Sequence, residues 1–121
     1  MADDYIVKDS GEHREFSSGA KRDKKIGKGR YDLLPTRTIH ALAIHYQKGA
    51  DKYADRNWEK GIPISEFVDS ALRHAFQFLQ RETDENHLIA AIWNLCGAYD
   101  TLERIKDGLL PEELNDLPGK E

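Results

Sequence analysis

Two residue pairs have spacing suited to chemistry. Glu66 and Asp69 stand three apart, and so do Asp84 and His87. On a helix, residues three apart project to one side. If the two segments form antiparallel helices, both pairs approach one region, and ligand pairs from facing helices are a standard way to build a divalent-metal site in a bundle. Carboxylate oxygens suit Mg²⁺ or Mn²⁺, and an imidazole shifts the preference from Mg²⁺ towards Mn²⁺ or Zn²⁺. Each residue also has an ordinary reading. Acidic pairs at this spacing are common on solvated helix faces, and Asp84 is suited to cap a helix. Arg73 shares a flank with Glu66 and Asp69, so it either pairs with Asp69 or contacts a phosphate. His74, between Phe67 and Phe78, reads as a packed or interface histidine, with metal ligation or water orientation as the functional alternative.

A second group consists of cations and aromatic residues near glycine and proline. Lys48, Lys52 and Arg56, with Lys28 and Arg30, could offset the charge of a triphosphate. Arginine makes bidentate phosphate contacts, whereas lysine acts as a point charge. Tyr53 or Trp58 offers a face on which a base can stack. Taken alone, such scattered cations read as a solvated surface. Asn94 lies mid-helix among apolar neighbours and needs a hydrogen-bond partner, either a loop carbonyl or a ligand's base or phosphate. Gly27-Lys-Gly29 lacks the spacing of a phosphate-cradling P-loop. His40 and His45 flank an apolar stripe and read as structural or solvent-facing.

The elements that must position these residues are helical. Residues 1–30 are polar and rich in charge, glycine and serine, and read as a flexible or extended arm; residues 31–121 read as a single all-α domain. Apolar positions Ile39, Leu42, Ala43 and Tyr46 predict a first helix from Thr36 to Gln47, ended by Gly49. A short helical turn at 50–55 and a loop at 57–63 follow. A second helix starts after Ser65 as N-cap, with its main apolar stripe at Val68, Ala71, Leu72, Ala75, Phe76 and Leu79. Phe67, His74 and Phe78 lie nearly opposite, so this helix is apolar on two sides and one side is expected to meet another subunit. The third helix spans about 86–106, with a main stripe at Leu88, Ile92, Leu95, Tyr99 and Leu102, and Gly108 stops it. A short turn begins at Pro111. No run alternates as a sheet would. The fold class is therefore all-α, a small helical hairpin or bundle completed by oligomerisation.

With 121 residues and a net charge of -4, the chain reads as one domain ill-suited to general duplex-DNA binding, while a nucleotide enzyme carries its positive charge on a metal. The lone Cys96 lies in an apolar run and reads as a small buried hydrophobe, with a reducing cytoplasm as the default compartment. No apolar run approaches the roughly 20 residues that span a bilayer. The first residues lack the layout of a signal peptide.

The ordered series Gly19-Ala, Lys28-Gly-Arg-Tyr-Asp-Leu-Leu-Pro35, Gly49-Ala-x-Lys-Tyr53, Arg56-Asn-Trp-x-Lys-Gly61, Ser70-Ala-Leu-Arg-His74, Asp84-x-x-His87 and Trp93-Asn94 resembles the dATP/dGTP diphosphohydrolase family of phage and prophage proteins, at the edge of the MazG-like all-α nucleotide pyrophosphohydrolases. The similarity runs over roughly residues 19–105. It implies metal-dependent hydrolysis of dATP or dGTP to the monophosphate and pyrophosphate, with Mg²⁺ or Mn²⁺, in nucleotide-pool control during phage growth; the apolar helix faces add the expectation of a homo-oligomer (dimer or tetramer), and a phage-encoded chain is expected to act in the host cytoplasm. On that resemblance Asp69, His74, Asp84 and His87 are catalytic candidates. Glu66, Asp69, Asp84 and His87 are metal ligands. Lys28, Arg30, Lys52, Arg56, Asn57, Trp58, Arg73 and Asn94 contact the nucleotide. MazG-like enzymes carry Glu-x-x-Glu followed by Glu-x-x-Asp, and this chain departs from that pattern at both pairs. A nucleotide-binding module without catalysis and an oligomeric phage accessory protein are the alternatives.

Overall fold

The structure, a computed structural model, describes residues 4–119, so the first three and last two residues of the ranges above lie outside the described ones. The chain divides between Leu34 and Pro35 into two compact units.

The N-terminal unit contains a hairpin where the sequence predicts no sheet. Strands β1 (His13–Glu15) and β2 (Lys21–Asp23) pair antiparallel, with Arg14 opposite Arg22. The reversal closes through Phe16 N–H donating to the Ala20 carbonyl at 2.8 Å, and Gly19 supplies the φ of 89° that the turn requires. The Asp23 carboxylate accepts from Ser10 Oγ and from Lys28 Nζ, and the Ser10 hydrogen bond, first among several, holds it far below the usual carboxylate range. Arg30 pairs bidentately with Asp32, whose carboxylate is part of a 3₁₀ turn at Tyr31–Leu33.

The second unit is helical: α1 (Thr36–Lys52), α2 (Ile64–Leu79) and α3 (His87–Lys106), with 3₁₀ turns at Asn57–Lys60 and Glu112–Leu114. Helix α1 passes through Gly49 rather than ending there. A mid-helix glycine costs only about 1 kcal/mol relative to alanine, too little to stop a helix whose next turn still closes, with Tyr53 N–H donating to the Gly49 carbonyl. Helix α2 starts one residue before Ser65, after Pro63. Ser65 is therefore not the N-cap. Its N–H and Oγ both donate to the Asp116 carboxylate, at 2.9 and 2.6 Å, so a distant acidic side chain takes the capping role. Helix α2 ends with Arg81 in the left-handed region at φ 61°, and Glu82 N–H reaches back to the Gln77 carbonyl. Helix α3 is capped by the Asn86 side chain, which accepts from Ile89 N–H, and not by Asp84.

The core lies between α2 and α3 and uses a face of α2 centred on Phe67, which takes in Ala71 of the expected main stripe, with Val68 packed at its edge. Ile64, Phe67, Ala71 and His74 are buried, and they pack against Ala90, Ala91, Asn94, Gly97, Ala98 and Thr101 of α3. Leu72, Phe76 and Leu79 of α2 are exposed instead, as are Leu88, Leu95 and Tyr99 of α3. Small residues decide which face meets which. A Cβ on Gly97 would lie 2.4 Å from the Phe67 ring, so only glycine lets the two helices come this close.

Candidate active-site cleft

A cleft of about 1150 Å³ opens within the helical unit, bounded by the second half of α1, the α1–α2 connection, the second half of α2, the α2–α3 linker and the first half of α3. Three kinds of side chain meet there.

The cations lining it are Lys48 and Lys52 of α1, Arg56 in the connection and Arg73 of α2. Arg56 sits in the left-handed region at φ 57° and its guanidinium contacts Glu59 at 2.6 Å. Arg73 does not pair with Asp69; it donates to Ser70 Oγ at 3.3 Å. Aromatic rings form a second surface. Tyr46 stands between Trp58 and Trp93, with centroids 6.0 and 5.8 Å away, and His45 lies 5.5 Å from Trp93. The Trp58 ring is also held from behind, by the Arg104 guanidinium 5.8 Å from its centroid. Burial pushes the Tyr46 phenol up to about 12. The indole Nε1 of Trp93 is buried without a hydrogen-bond partner.

The third group closes one end. Helix packing brings His74 from the last turns of α2 against His87 in the first turn of α3. Their Nδ1 atoms are 2.9 Å apart, and His87 Nε2 lies 2.8 Å from Asp84 Oδ1. Both rings are buried, whereas the Asp84 side chain is 69% exposed and faces solvent. The hydrogen bond with His87, more than any other cause, holds Asp84 below its ordinary value. Burial, and then the neighbouring Arg73 charge, holds His74 below the ordinary imidazole value. Possible metal-holding groups follow from this arrangement: His74, Glu85 and His87 form one, and Glu82, Asp84 and His87 another.

The structure thus brings Lys52, Arg56, Asn57, Trp58, Arg73, His74, Asp84 and Asn94 to one cleft, with His87 directly behind His74. Glu66 and Asp69 do not join them. They precede His74 by eight and five residues on α2, about 12 and 7.5 Å along the axis at 1.5 Å per residue. Both are exposed, so the four-ligand set expected from the two pairs is not assembled. Lys28 and Arg30 belong to the N-terminal unit, where they are engaged by Asp23 and Asp32. Asn94 donates to the Ala90 carbonyl of its own helix at 2.8 Å, a partner neither alternative foresaw. His45, Tyr46 and Glu85 are cleft residues that sequence reasoning missed. The signal available was weak: His45 and Tyr46 share one side of α1 with Ala41 and Leu42, and burial along that helix is only partial.

Residues 18–108, three quarters of the chain, match the family described as dATP/dGTP diphosphohydrolase, N-terminal. The chain belongs to that family. No curated protein and no solved structure matches it. The match starts inside the N-terminal hairpin and ends at Gly108, so for this family the cleft-bearing helices are all within the matched region.

Proposed function

We propose that the chain hydrolyses purine deoxynucleoside triphosphates, dATP or dGTP, to the monophosphate and pyrophosphate. One observation carries this reading: in a member of this family, a single cleft gathers phosphate-binding cations, stackable aromatic faces and a histidine–carboxylate end. The volume is slightly above the about 300–1,000 Å³ usual for small-molecule sites, which suits a triphosphate with a hydrated cation.

In this reading Lys52, Arg56 and Arg73 neutralise the phosphates and stabilise the charge that develops on the leaving pyrophosphate. Trp58 and Tyr46 hold the base, and Asn57 and Asn94 contact the nucleoside. A water oxygen attacks the α-phosphorus, the bond to the bridging oxygen breaks, pyrophosphate leaves with the electron pair, and the water's proton passes to solvent. The donor set at the closed end, His74, His87 and linker carboxylates, fits a divalent cation, Mn²⁺ better than Mg²⁺. Such an ion would polarise the phosphate and lower the pKa of water. The exposed stripes of α2 and α3 support a homo-oligomer, and the family resemblance supports a role in the nucleotide pool during phage growth in the host cytoplasm.

The test is pyrophosphate release from each of the four dNTPs by the full chain, with Mg²⁺ and with Mn²⁺. Release from dATP or dGTP that falls at least tenfold in Arg73→Ala supports the reading. Nucleotide-dependent thermal stabilisation without turnover would replace it with a binding module.

A further inference from the structure

The His74–His87 contact poses a question of protons. A carboxylate only accepts hydrogen bonds, so Asp84 fixes the hydrogen of His87 on Nε2. His87 Nδ1 faces His74 Nδ1 at 2.9 Å between two buried rings, and which nitrogen carries the hydrogen between them depends on the tautomer. A metal ion can take the place of that hydrogen when both Nδ1 atoms offer lone pairs. Metal–nitrogen bonds of about 2.0–2.1 Å meeting at about 90–110° put the nitrogens about 2.8–3.4 Å apart, which includes the observed separation. A Glu85 carboxylate oxygen lies within 4.8 Å of both rings, giving a third donor on the cleft side. Asp84 then holds the position that carboxylates take behind metal-bound histidines, accepting the other ring N–H and fixing ring orientation.

We propose that His74 Nδ1, His87 Nδ1 and Glu85 form a two-histidine, one-carboxylate centre for a borderline divalent ion such as Mn²⁺ or Co²⁺, with Asp84 as its positioning residue. This deepens the metal-assisted reading above and rests on it for its use, but its geometry stands apart from any substrate. The site differs from the expected four-ligand set: it uses neither Glu66 nor Asp69, and it places the ion at the cleft end beside Arg73. Two imidazoles also disfavour Mg²⁺, which prefers oxygen ligands.

The full chain, stripped of metal and refilled with Mn²⁺, tests this by equilibrium dialysis and by pulsed electron paramagnetic resonance, which detects nitrogen bound to manganese. The expected result is one Mn²⁺ per chain, nitrogen modulation from histidine, and binding at least tenfold tighter than Mg²⁺. Asp84→Asn should weaken Mn²⁺ binding about 10–100-fold while keeping the nitrogen signal, and Glu85→Gln should weaken it by at least tenfold. His74→Gln should weaken Mn²⁺ binding, and any Mn²⁺ still bound should show nitrogen modulation from one histidine instead of two. Because His74 and His87 are buried and a variant there can fail to fold, the exposed Glu85→Gln and Asp84→Asn keep the proposal testable. Mn²⁺ bound without nitrogen modulation, or no Mn²⁺ bound by the wild-type chain, overturns it and leaves the pair as a hydrogen bond. Pyrophosphate release with Mg²⁺ in that event would keep the hydrolase reading. A nitrogen-ligated Mn²⁺ without any dNTP turnover would sink the hydrolase reading and keep the site.

Discussion

Gly97 is the residue that sets how closely α2 and α3 approach, because the Phe67 ring occupies the space its side chain would take. Gly97→Ala must push the Phe67 ring or the helices apart, and overpacking of this kind costs about 1–3 kcal/mol. Urea unfolding should show that loss with an unchanged slope; an unchanged midpoint would mean the helices are less tightly apposed. The cleft cations make a different prediction. Lys52 and Arg73 line the cleft and neither has a carboxylate partner among the ion pairs of the described residues. Lys52→Ala and Arg73→Ala should each raise KM for the triphosphate or lower kcat/KM by about tenfold or more, since charge-assisted hydrogen bonds contribute about 1.5–3 kcal/mol. Arg56→Ala should do less, because Arg56 must divide its guanidinium between the phosphates and Glu59. Steady-state kinetics on the three variants checks the order. Part of the expected set gathers: Lys52, Arg56, Asn57, Trp58, Arg73 and Asn94 line the cleft, whereas Lys28 and Arg30 belong to the N-terminal unit. The histidine pair was not legible, because contact between His74 and His87 depends on antiparallel packing and on ring rotation, neither of which is written in spacing.

Among the elements, α3 was the most legible: the expected span of about 86–106 lies close to the observed His87–Lys106 and Gly108 follows its end, although its cap is Asn86 and not Asp84. Its stripe was misread all the same. Periodicity shows that a helix has an apolar face; it does not show which face meets its own chain. In α2 and α3 the intramolecular contact joins Ile64 and Phe67 to small and polar positions (Ala, Gly, Asn, Thr, His), while Leu72, Phe76, Leu79, Leu88, Leu95 and Tyr99 of the expected stripes remain exposed. The hairpin escaped notice because its three-residue strands are wholly polar and carry no alternation. The start of α2 depends on Asp116, 51 residues away from Ser65, a link no local pattern reveals. That link predicts a pH effect. Ser65 hydrogen bonds hold Asp116 below its ordinary carboxylate value. Its contribution is therefore complete above the unfolded-state pKa near 3.9 and is lost as pH falls through the lower folded-state value. Asp116→Asn should lower Tm at pH 7 and narrow the gap to wild type as pH falls below about 4. A gap that stays constant with pH would remove Asp116 from the account.

At the scale of the whole molecule, the helical unit leaves two apolar stripes uncovered. Leu72, Phe76 and Leu79 on α2 are 55, 62 and 72% exposed, and Leu88, Leu95 and Tyr99 on α3 are 47, 54 and 69% exposed. Large apolar side chains left exposed along a helix face are a mark of association, which is why the homo-oligomer belongs to the proposed function. Sedimentation velocity should find the wild-type chain larger than its 13.9 kDa monomer, and Leu72→Glu with Phe76→Glu should return it to monomer. A wild-type monomer at micromolar concentration would dismiss the oligomer. The central claim concerns the reaction, and the product spectrum tests it most directly. Phosphorus-31 resonance of dATP or dGTP incubated with the full chain and Mn²⁺ should show monophosphate and pyrophosphate growing in equal amounts. Orthophosphate with the diphosphate, or a triphosphate that stays intact, would contradict the account.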